Sequence, residues 1–246
     1  MKKILVFLIL LILASASWAV DIESILEKSD QIMRGDTMSG EYDMTVVTPR
    51  WTRTVKMKSW SQGTKKSFIL ITYPQRDKGS TFLKINNEMW QYVPRIERTI
   101  KIPPSMMLQS WMGSDFTNDD LVKESSVVED YNAKLLSEDD TSWKIELIPK
   151  PQAAVTWGKV IMYMTKKTYL PSKEEFYDED GELVREMTFG DVVKLPDRYY
   201  PTKMVMIPKT ADKAGHTTTV IMKNLVFNAP VKAGLFSLGS LKSMSQ

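Results

Sequence analysis

Residues 41–58 read EYDMTVVTPRWTRTVKMK, and this stretch decides the fold class. In its first half, the apolar side chains of Tyr42, Met44 and Val46 alternate with polar ones. Strict alternation is typical of a strand with one packed face and one solvated face. The residues at 48–50 favour a turn, and the alternation resumes after them. The stretch therefore predicts two antiparallel strands that share one buried face.

The same alternation recurs on both sides of this stretch. Further strands are predicted at residues 67–73, 80–85, 89–93, 99–102, 133–137, 142–148, 158–165, 172–177, 182–189, 199–207 and 217–226. Asn86-Asn87 and Asp180-Gly181 stand where tight hairpins require positive φ. Short strands in this number and at this spacing predict a mainly β protein, built on one large and strongly curved antiparallel sheet.

A helix is predicted before the first strand. Asp21 or Ser24 can cap its start, and Gly35 can end it. Its apolar residues recur at helical spacing on one face. Such a face requires an apolar surface, so we expect this helix to cover part of the sheet.

A second helical region interrupts the strands between residues 103 and 121. Residues 105–112 favour a short helix, because apolar side chains recur there four positions apart. Another short helix is predicted from Thr117, with Asp120 as its reciprocal capping partner. We expect these short helices to plug the open side of the sheet.

Residues 1–19 have the features of a cleaved export signal. Lys2 and Lys3 precede an unbroken apolar run, and small residues end the segment where a signal peptidase reads. The run is shorter than the ~20 residues that a membrane-spanning helix requires. We therefore expect residues 20–246 to form one periplasmic domain. The chain contains no cysteine, which excludes a lipid-anchoring cysteine and a disulfide.

The charge of the chain argues against nucleic acid as a partner. Lys2 and Lys3 belong to the 33 basic residues, and they would leave with the signal. The remainder is then nearly balanced against 30 acidic residues. A nucleic-acid-binding protein would favour a strongly basic face, which a balanced composition does not indicate.

The sequence offers little support for catalysis. His216 is the only histidine, it follows a polar loop, and the chain contains no G-x-S-x-G motif. With one histidine and no cysteine, only carboxylates remain as metal ligands. The adjacent acids at 119–120 and 178–180 fall in a helix cap and a turn, where acids are common for local reasons. We expect no enzyme activity, no metal site and no cofactor.

The methionine content is more informative. The chain has 16 Met, and six of them fall on inward strand positions: Met44, Met57, Met162, Met187, Met204 and Met222. Methionine is flexible and polarizable, so it suits irregular or changing apolar partners. These residues could simply fill the core, but a curved sheet of this size has more concave surface than one helix covers. The excess predicts an apolar cavity for a ligand.

The residues predicted to line this cavity and bind lipid are Tyr42, Met44, Val46, Val55, Met57, Phe68, Leu70, Leu83, Trp90, Tyr92, Ile161, Tyr163, Met187 and Met204. The residues predicted to form a lid are Met107, Trp111 and Met112. The first set follows from the alternation along the predicted strands, and the second from the short helix predicted at residues 105–112.

Four blocks between residues 79 and 121 carry a family resemblance. They are GSTFLK at 79–84, MWQYVP at 89–94, IKI at 100–102 and MGSDFTNDDL at 112–121. In order and spacing they resemble the outer-membrane lipoprotein-sorting protein family, the LolA-like group, and its divergent uncharacterised branch in particular. The resemblance implies an unclosed half β-barrel of about eleven strands, covered by an N-terminal helix and short plug helices. It also implies a role in moving acyl chains across the periplasm.

Three functions remain open from the sequence. The first is a periplasmic carrier of lipid or lipoprotein acyl chains, which would contact a membrane only transiently. An inner-membrane transporter and an outer-membrane acceptor are its candidate partners. The second is a non-catalytic adaptor for an envelope transporter, with a filled interior and no bound lipid. The third is a hydrolase that acts on envelope lipid or glycan, which would require a clustered pair of acids or a serine beside His216.

Overall fold

The computed structural model describes residues 21–122, 127–153 and 155–245, and the predicted signal segment lies outside them. These residues include four α-helices: α1 (Ile22–Arg34), α2 (Asn118–Val122), α3 (Val127–Asp130) and α4 (Leu238–Ser243). The strands are β1 (Thr37–Val47), β2 (Thr52–Gln62), β3 (Lys66–Tyr73), β4 (Thr81–Ile85), β5 (Glu88–Val93), β6 (Arg98–Lys101), β7 (Tyr131–Glu138), β8 (Ser142–Pro149), β9 (Lys159–Thr165), β10 (Pro171–Tyr177), β11 (Leu183–Lys194), β12 (Tyr199–Pro208) and β13 (Thr217–Phe227).

All of these strands form one antiparallel sheet that does not close into a barrel. This confirms the predicted fold class, although the sheet has thirteen strands rather than the roughly eleven that the family resemblance implies. The order is β6-β5-β4-β3-β2-β1-β13-β12-β11-β10-β9-β8-β7. The first and last strands therefore pair in the middle of the sheet, and β6 and β7 form its two edges.

The predicted β1–β2 hairpin sets the register of the inner face. Tyr42 lies opposite Met57, and Met44 lies opposite Val55. On the other side of β1, Met44 faces Val220 of β13. These positions are buried or line the interior, as the alternation at residues 41–58 predicts.

Helix α1 is capped at its start by Asp21, whose side chain accepts a hydrogen bond from the Ser24 amide. The helix ends at Gly35, as predicted. Arg198, from the β11–β12 connection, donates to the carbonyl oxygen of Ile32 at 2.8 Å and stacks on Phe227 at 4.1 Å. A cation that binds free carbonyl groups at a helix end stabilises it, so Arg198 fixes the C-terminus of α1 against the sheet.

The connection from β6 to β7 joins the two edges of the open sheet, and residues 102–122 of it pack against the inner face. We call residues 102–122 the plug. The Thr117 and Asp120 capping pair forms as predicted, with the Thr117 amide donating to Asp120 at 2.8 Å and the Asp120 amide donating to Thr117 at 3.1 Å. Helix α2 follows directly from this cap.

The predicted helix at residues 105–112 is wrong. The backbone of Trp111 pairs with that of Phe116, and Ser110 forms an isolated β-bridge with Thr117. Met112 and the following glycine both have positive φ, as the central residues of a tight type I′ turn do. Because these backbone groups bond across the turn, they are not available for an α-helical ladder.

The C-terminal segment covers the outer face of β3–β5. Leu235 and Leu241 are buried there against Phe68 and Leu83, and the Thr81 hydroxyl donates to the Leu241 carbonyl at 2.7 Å. Leu235 thus anchors the C-terminal segment to the sheet. Helix α4 forms within this segment because its apolar side chains pack on the sheet.

Replacing Leu241 with alanine should lower the free energy of unfolding by about 2 to 4 kcal/mol, because the side chain is completely buried in this outer cluster. The matched control is Leu238→Ala on the same helix, where the side chain is 52% exposed and the loss should stay below about 0.5 kcal/mol. Urea denaturation followed by tryptophan fluorescence measures both. Equal losses would mean that the tail is not packed on the sheet as described.

Candidate functional site

The inner face of the sheet encloses a cavity of about 460 Å³. Strands β1–β3 and β7–β13, helix α1 and the plug all contribute to its wall, which requires the sheet to wrap around it. Its volume lies within the usual range of small-ligand sites, about 300 to 1,000 Å³. Nine methionines line the cavity: Met33, Met38, Met44, Met57, Met162, Met187, Met204, Met206 and Met222. All six methionines expected to point inward are among them.

Five of the residues predicted to bind lipid line this cavity: Tyr42, Met44, Met57, Met187 and Met204. Two further residues, Val46 and Val55, lie on the same face but belong to the packed core beneath the plug. The inward phase predicted for β1 and β2 therefore holds, and the cavity occupies only part of that face.

Five other predicted lining residues face away from the cavity. Phe68, Leu70, Leu83, Trp90 and Tyr92 all pack in the outer cluster beneath the C-terminal segment. Alternate residues of β3–β5, such as the buried neighbours of Phe68 and Leu83, face inward instead. Both faces of these strands are apolar, so the alternation that fixes the phase of β1 is missing here.

The last two predicted lining residues, Ile161 and Tyr163, also lie on the outer face. Met162, between them, lines the cavity, and neighbouring residues of a strand point to opposite faces. The Tyr163 ring lies 5.5 Å from the Lys173 ammonium group on the solvated side of the sheet. The expectation that Ile161, Met162 and Tyr163 all face inward could not be satisfied by one strand.

The three residues predicted to form a lid lie in the plug at one end of the cavity. Trp111 is buried, lines the cavity, and packs edge-on against Phe82 at 5.4 Å. Met107 and Met112 pack against the same core cluster without lining the cavity. The Met112 carbonyl accepts a hydrogen bond from Arg53 at 3.4 Å, which ties the turn to β2.

A buried ion pair attaches the plug to the cavity wall. The guanidinium of Arg185 on β11 donates two hydrogen bonds to the carboxylate of Asp120, at 2.6 and 2.8 Å. It also stacks on the rings of Trp157 and Phe176, at 4.3 and 4.6 Å. Although burial acts to raise the pKa of Asp120, the hydrogen bonds and charge of Arg185 hold that pKa below its usual value.

One acidic side chain stands in the methionine wall. Glu174 on β10 lines the cavity and lies in register between Met162 on β9 and Met187 on β11. Burial raises the pKa of its carboxyl group to about 7, although the positive charges of Arg185 and Arg34 act to lower it. Glu174 can therefore change its charge near neutral pH.

Sequence reasoning missed this polar end of the cavity, although a signal was present. Met187 was assigned inward, so Arg185, two positions earlier on the same strand, should also face inward. Glu174 shares its strand phase with the apolar Phe176 in the same way. Charged residues on an inward phase are rare enough to indicate a special site.

The surroundings of His216 do not resemble a catalytic site. Its Nδ1 lies 3.7 Å from Asp115, whose carboxylate also accepts a 2.7 Å hydrogen bond from the Thr218 hydroxyl. No serine hydroxyl within the described residues bonds to His216. In the same part of the chain, no group of three His, Cys, Asp or Glu side chains is arranged to hold a metal ion. The Asp115 contacts attach the plug to β13.

None of the helices in the described ranges has both the length and the apolar character that crossing a bilayer requires.

Replacing Glu174 with glutamine should increase the free energy of unfolding at pH 8 by about 1 to 3 kcal/mol, because the raised pKa makes ionisation costly in the folded state. A folded-state pKa above the unfolded one means that this cost grows as the pH rises from about 4.5 to 7. The gain should therefore vanish below about pH 4, where the carboxyl group is protonated in both states. Thermal or urea unfolding across this range measures it, and a gain that is independent of pH would contradict the assignment.

Residues 63–243 match a family of proteins described as "Uncharacterized protein". No curated protein matches the chain in sequence.

Three solved structures share its fold. A DUF1329 family protein from Desulfovibrio piger aligns with 21% identity and a TM-score of 0.80, over 89% of this chain and 97% of its own. A putative outer membrane lipoprotein-sorting protein domain from Vibrio parahaemolyticus aligns with 22% identity and a TM-score of 0.77, over 89% and 97%. A LolA superfamily protein from Nitrosomonas europaea aligns with 22% identity and a TM-score of 0.74, over 89% and 98%. The chain therefore belongs to this family of uncharacterised proteins, a divergent family with the LolA-like fold.

Proposed function

We propose that the protein is a non-catalytic carrier that holds a lipid, or the acyl chains of a lipoprotein, in the methionine-lined cavity. The observation that carries this proposal is the cavity itself: about 460 Å³ remains unfilled inside a wall of nine methionines. If these methionines only formed part of the hydrophobic core, side chains of the protein would fill the space between them, because protein interiors are close-packed. The adaptor hypothesis expects such a filled interior, so the cavity favours the carrier.

The chemistry of the wall suits an acyl chain. Each CH₂ group that leaves water contributes about 0.8 kcal/mol, so one long chain can be held without any catalytic group. Unbranched methionine side chains can adapt to chains of different length and unsaturation. The cargo would bind through apolar contact along most of its length.

The relatives and the N-terminus support a periplasmic location for this carrier. One structural neighbour is described as a putative outer membrane lipoprotein-sorting protein domain, which is a role carried out between two membranes. The signal pattern at residues 1–19 fits export to the same compartment. We propose that a membrane transporter donates the cargo and that an outer-membrane component accepts it.

We propose that the plug acts as the lid of the cavity. Met107, Trp111 and Met112 cover one end of the interior, and only Trp111 reaches the cavity wall. Polar contacts hold the plug to the sheet, among them Asp115 with Thr218, the Arg53 bond to the Met112 carbonyl, and the Asp120 ion pair described above. Contacts of this kind can break and re-form without disturbing the sheet.

Replacing Met204 with aspartate should weaken binding of a fluorescent fatty acid at least about tenfold, because the new charge would lie in an apolar cavity. The matched control is Val205→Asp on the same strand, whose side chain points to the opposite face. Fluorescence titration measures the dissociation constants, and circular dichroism verifies folding. Mass spectrometry of an organic extract should also detect co-purified lipid. Equal affinity in the two variants would overturn the cavity as the binding site.

A reversible cross-link tests the lid. Cysteines at positions 115 and 218 would be unique in the chain, and they replace side chains that hydrogen-bond at 2.7 Å. Oxidation should slow lipid uptake and release at least about tenfold, because the plug cannot leave the sheet, and reduction should restore both rates. Stopped-flow fluorescence compares the two states of the same sample. Equal rates before and after verified disulfide formation would exclude the plug as the lid.

A further inference from the structure

One carboxyl group in the cavity wall has no partner of its own. Glu174 lies between Met162 and Met187, and its carboxyl group makes no hydrogen bond or ion pair with any residue in the described part of the chain. The side chain of Glu174 is only partly buried, and it lines the cavity. A carboxylate that lines a ligand-sized cavity without a hydrogen-bond partner leaves its acceptor oxygens to a bound ligand.

The nearby cations are already engaged by other carboxylates. Arg185 donates two hydrogen bonds to Asp120, and Arg34 forms an ion pair with Asp30 at 2.6 Å. Each guanidinium thus already has a carboxylate as a direct partner, although the Nε of Arg185 is buried without a hydrogen bond. Glu174 is a further acid at this end of the cavity, beside Asp119 and Asp120. The partner that Glu174 lacks is a positive charge, which a ligand can supply.

Aromatic rings complete this environment. The rings of Phe176 and Trp157 line the cavity with Glu174, and the Arg185 guanidinium already stacks on both of them. Tyr131 lines the same cavity and interacts electrostatically with Glu174. Ring faces attract ammonium groups, and this attraction grows when water is excluded.

We propose that Glu174 binds the ammonium group of the cargo, so that the cavity prefers an amphiphile with an apolar tail and a cationic amine head. This inference rests on the proposed carrier function and adds the chemical class of the head group. The tail occupies the methionine wall, and the head group lies against Glu174. A fatty acid would bring a second negative charge to the same place, and an alcohol would leave the carboxylate without a cation.

Competition among three amphiphiles of equal chain length tests the proposal. Dodecylamine, dodecanol and dodecanoate, below the concentrations at which they form micelles, would each displace the neutral apolar probe N-phenyl-1-naphthylamine from the purified protein. At pH 8, dodecylamine should displace the probe at a concentration about tenfold lower than dodecanol does, because a charge-assisted hydrogen bond forms in a site shielded from water. Dodecanoate should be the weakest competitor.

Two variants assign this preference to one side chain. Glu174→Gln should reduce the advantage of dodecylamine over dodecanol to less than about twofold, because its neutral amide cannot pair with an ammonium group. Glu175→Gln is the matched control, since Glu175 faces outward and pairs with Lys173 at 2.6 Å. It should retain the full preference for the amine. Displacement of the probe by dodecanol in both variants verifies that the cavity remains intact.

The pH dependence provides an independent readout. Alkylamines stay protonated between pH 5.5 and 8.5, whereas burial places the pKa of Glu174 near 7. The advantage of dodecylamine over dodecanol should therefore decrease as the pH falls through this range, and it should be flat in Glu174→Gln. The other ionisable groups that face Glu174 are Asp30 and Arg34 on α1, Asp119 and Asp120 on α2, Tyr131 on β7 and Arg185 on β11. Burial raises the pKa of Tyr131, and Arg185 keeps that of Asp120 low, so neither of these two titrates here.

The outcomes separate the two proposals. If all three amphiphiles displace the probe equally, or if dodecanoate is the strongest, the carrier function stands and the amine preference is overturned. An amine preference that persists in Glu174→Gln would overturn the role of this residue. If the probe does not bind, or if none of the three displaces it, the carrier function itself fails.

Discussion

The pairing of β1 with β13 is the constraint on which the rest of the structure depends. Because the first and last strands meet in the middle of the sheet, the two strands nearest the middle of the chain, β6 and β7, must form its edges. The connection between them then runs from one edge to the other, and residues 102–122 of it pack on the inner face. A plug and a partly covered interior thus follow from the order of the strands.

The plug also determines the electrostatics of the cavity. Asp120 is carried by the plug, whereas Arg185 belongs to the wall, so their ion pair joins the plug to the wall. Removing one partner from a buried ion pair typically costs about 3 to 5 kcal/mol, because the remaining charge is left without compensation. An opening that admits water to Arg185 would reduce this cost. In the proposed lid, closure of the plug, exclusion of water and the charge of Glu174 are therefore linked through the guanidinium group of Arg185.

The sequence predicted most of the fold because its signals are local. The alternation in β1 and β2, the Asp21 cap and the Thr117–Asp120 capping pair each depend on residues close in the chain. The predicted face of a strand was wrong where long-range packing decides which side is buried. Phe68 and Leu83 face outward only because the C-terminal segment covers them. The helix predicted at residues 105–112 failed because Met112 adopts a positive φ, which apolar spacing cannot indicate. The inward position of Arg185 and Glu174 could have been predicted, because each lies two positions from an inward apolar residue, Met187 and Phe176 respectively.

The fold and the cargo are specified by different parts of the chain. A sheet that wraps around an interior requires only the hydrogen-bonded ladder and apolar side chains on one face, and many sequences satisfy this requirement. Structures that share the fold at 21% or 22% identity therefore need not share a head-group preference. That preference depends on the few polar groups in the wall, because a carboxylate without a partner discriminates between ligands far more strongly than one additional methylene contact. Under the proposed carrier function, that group is Glu174, and its charge would determine which amphiphiles the methionine wall retains.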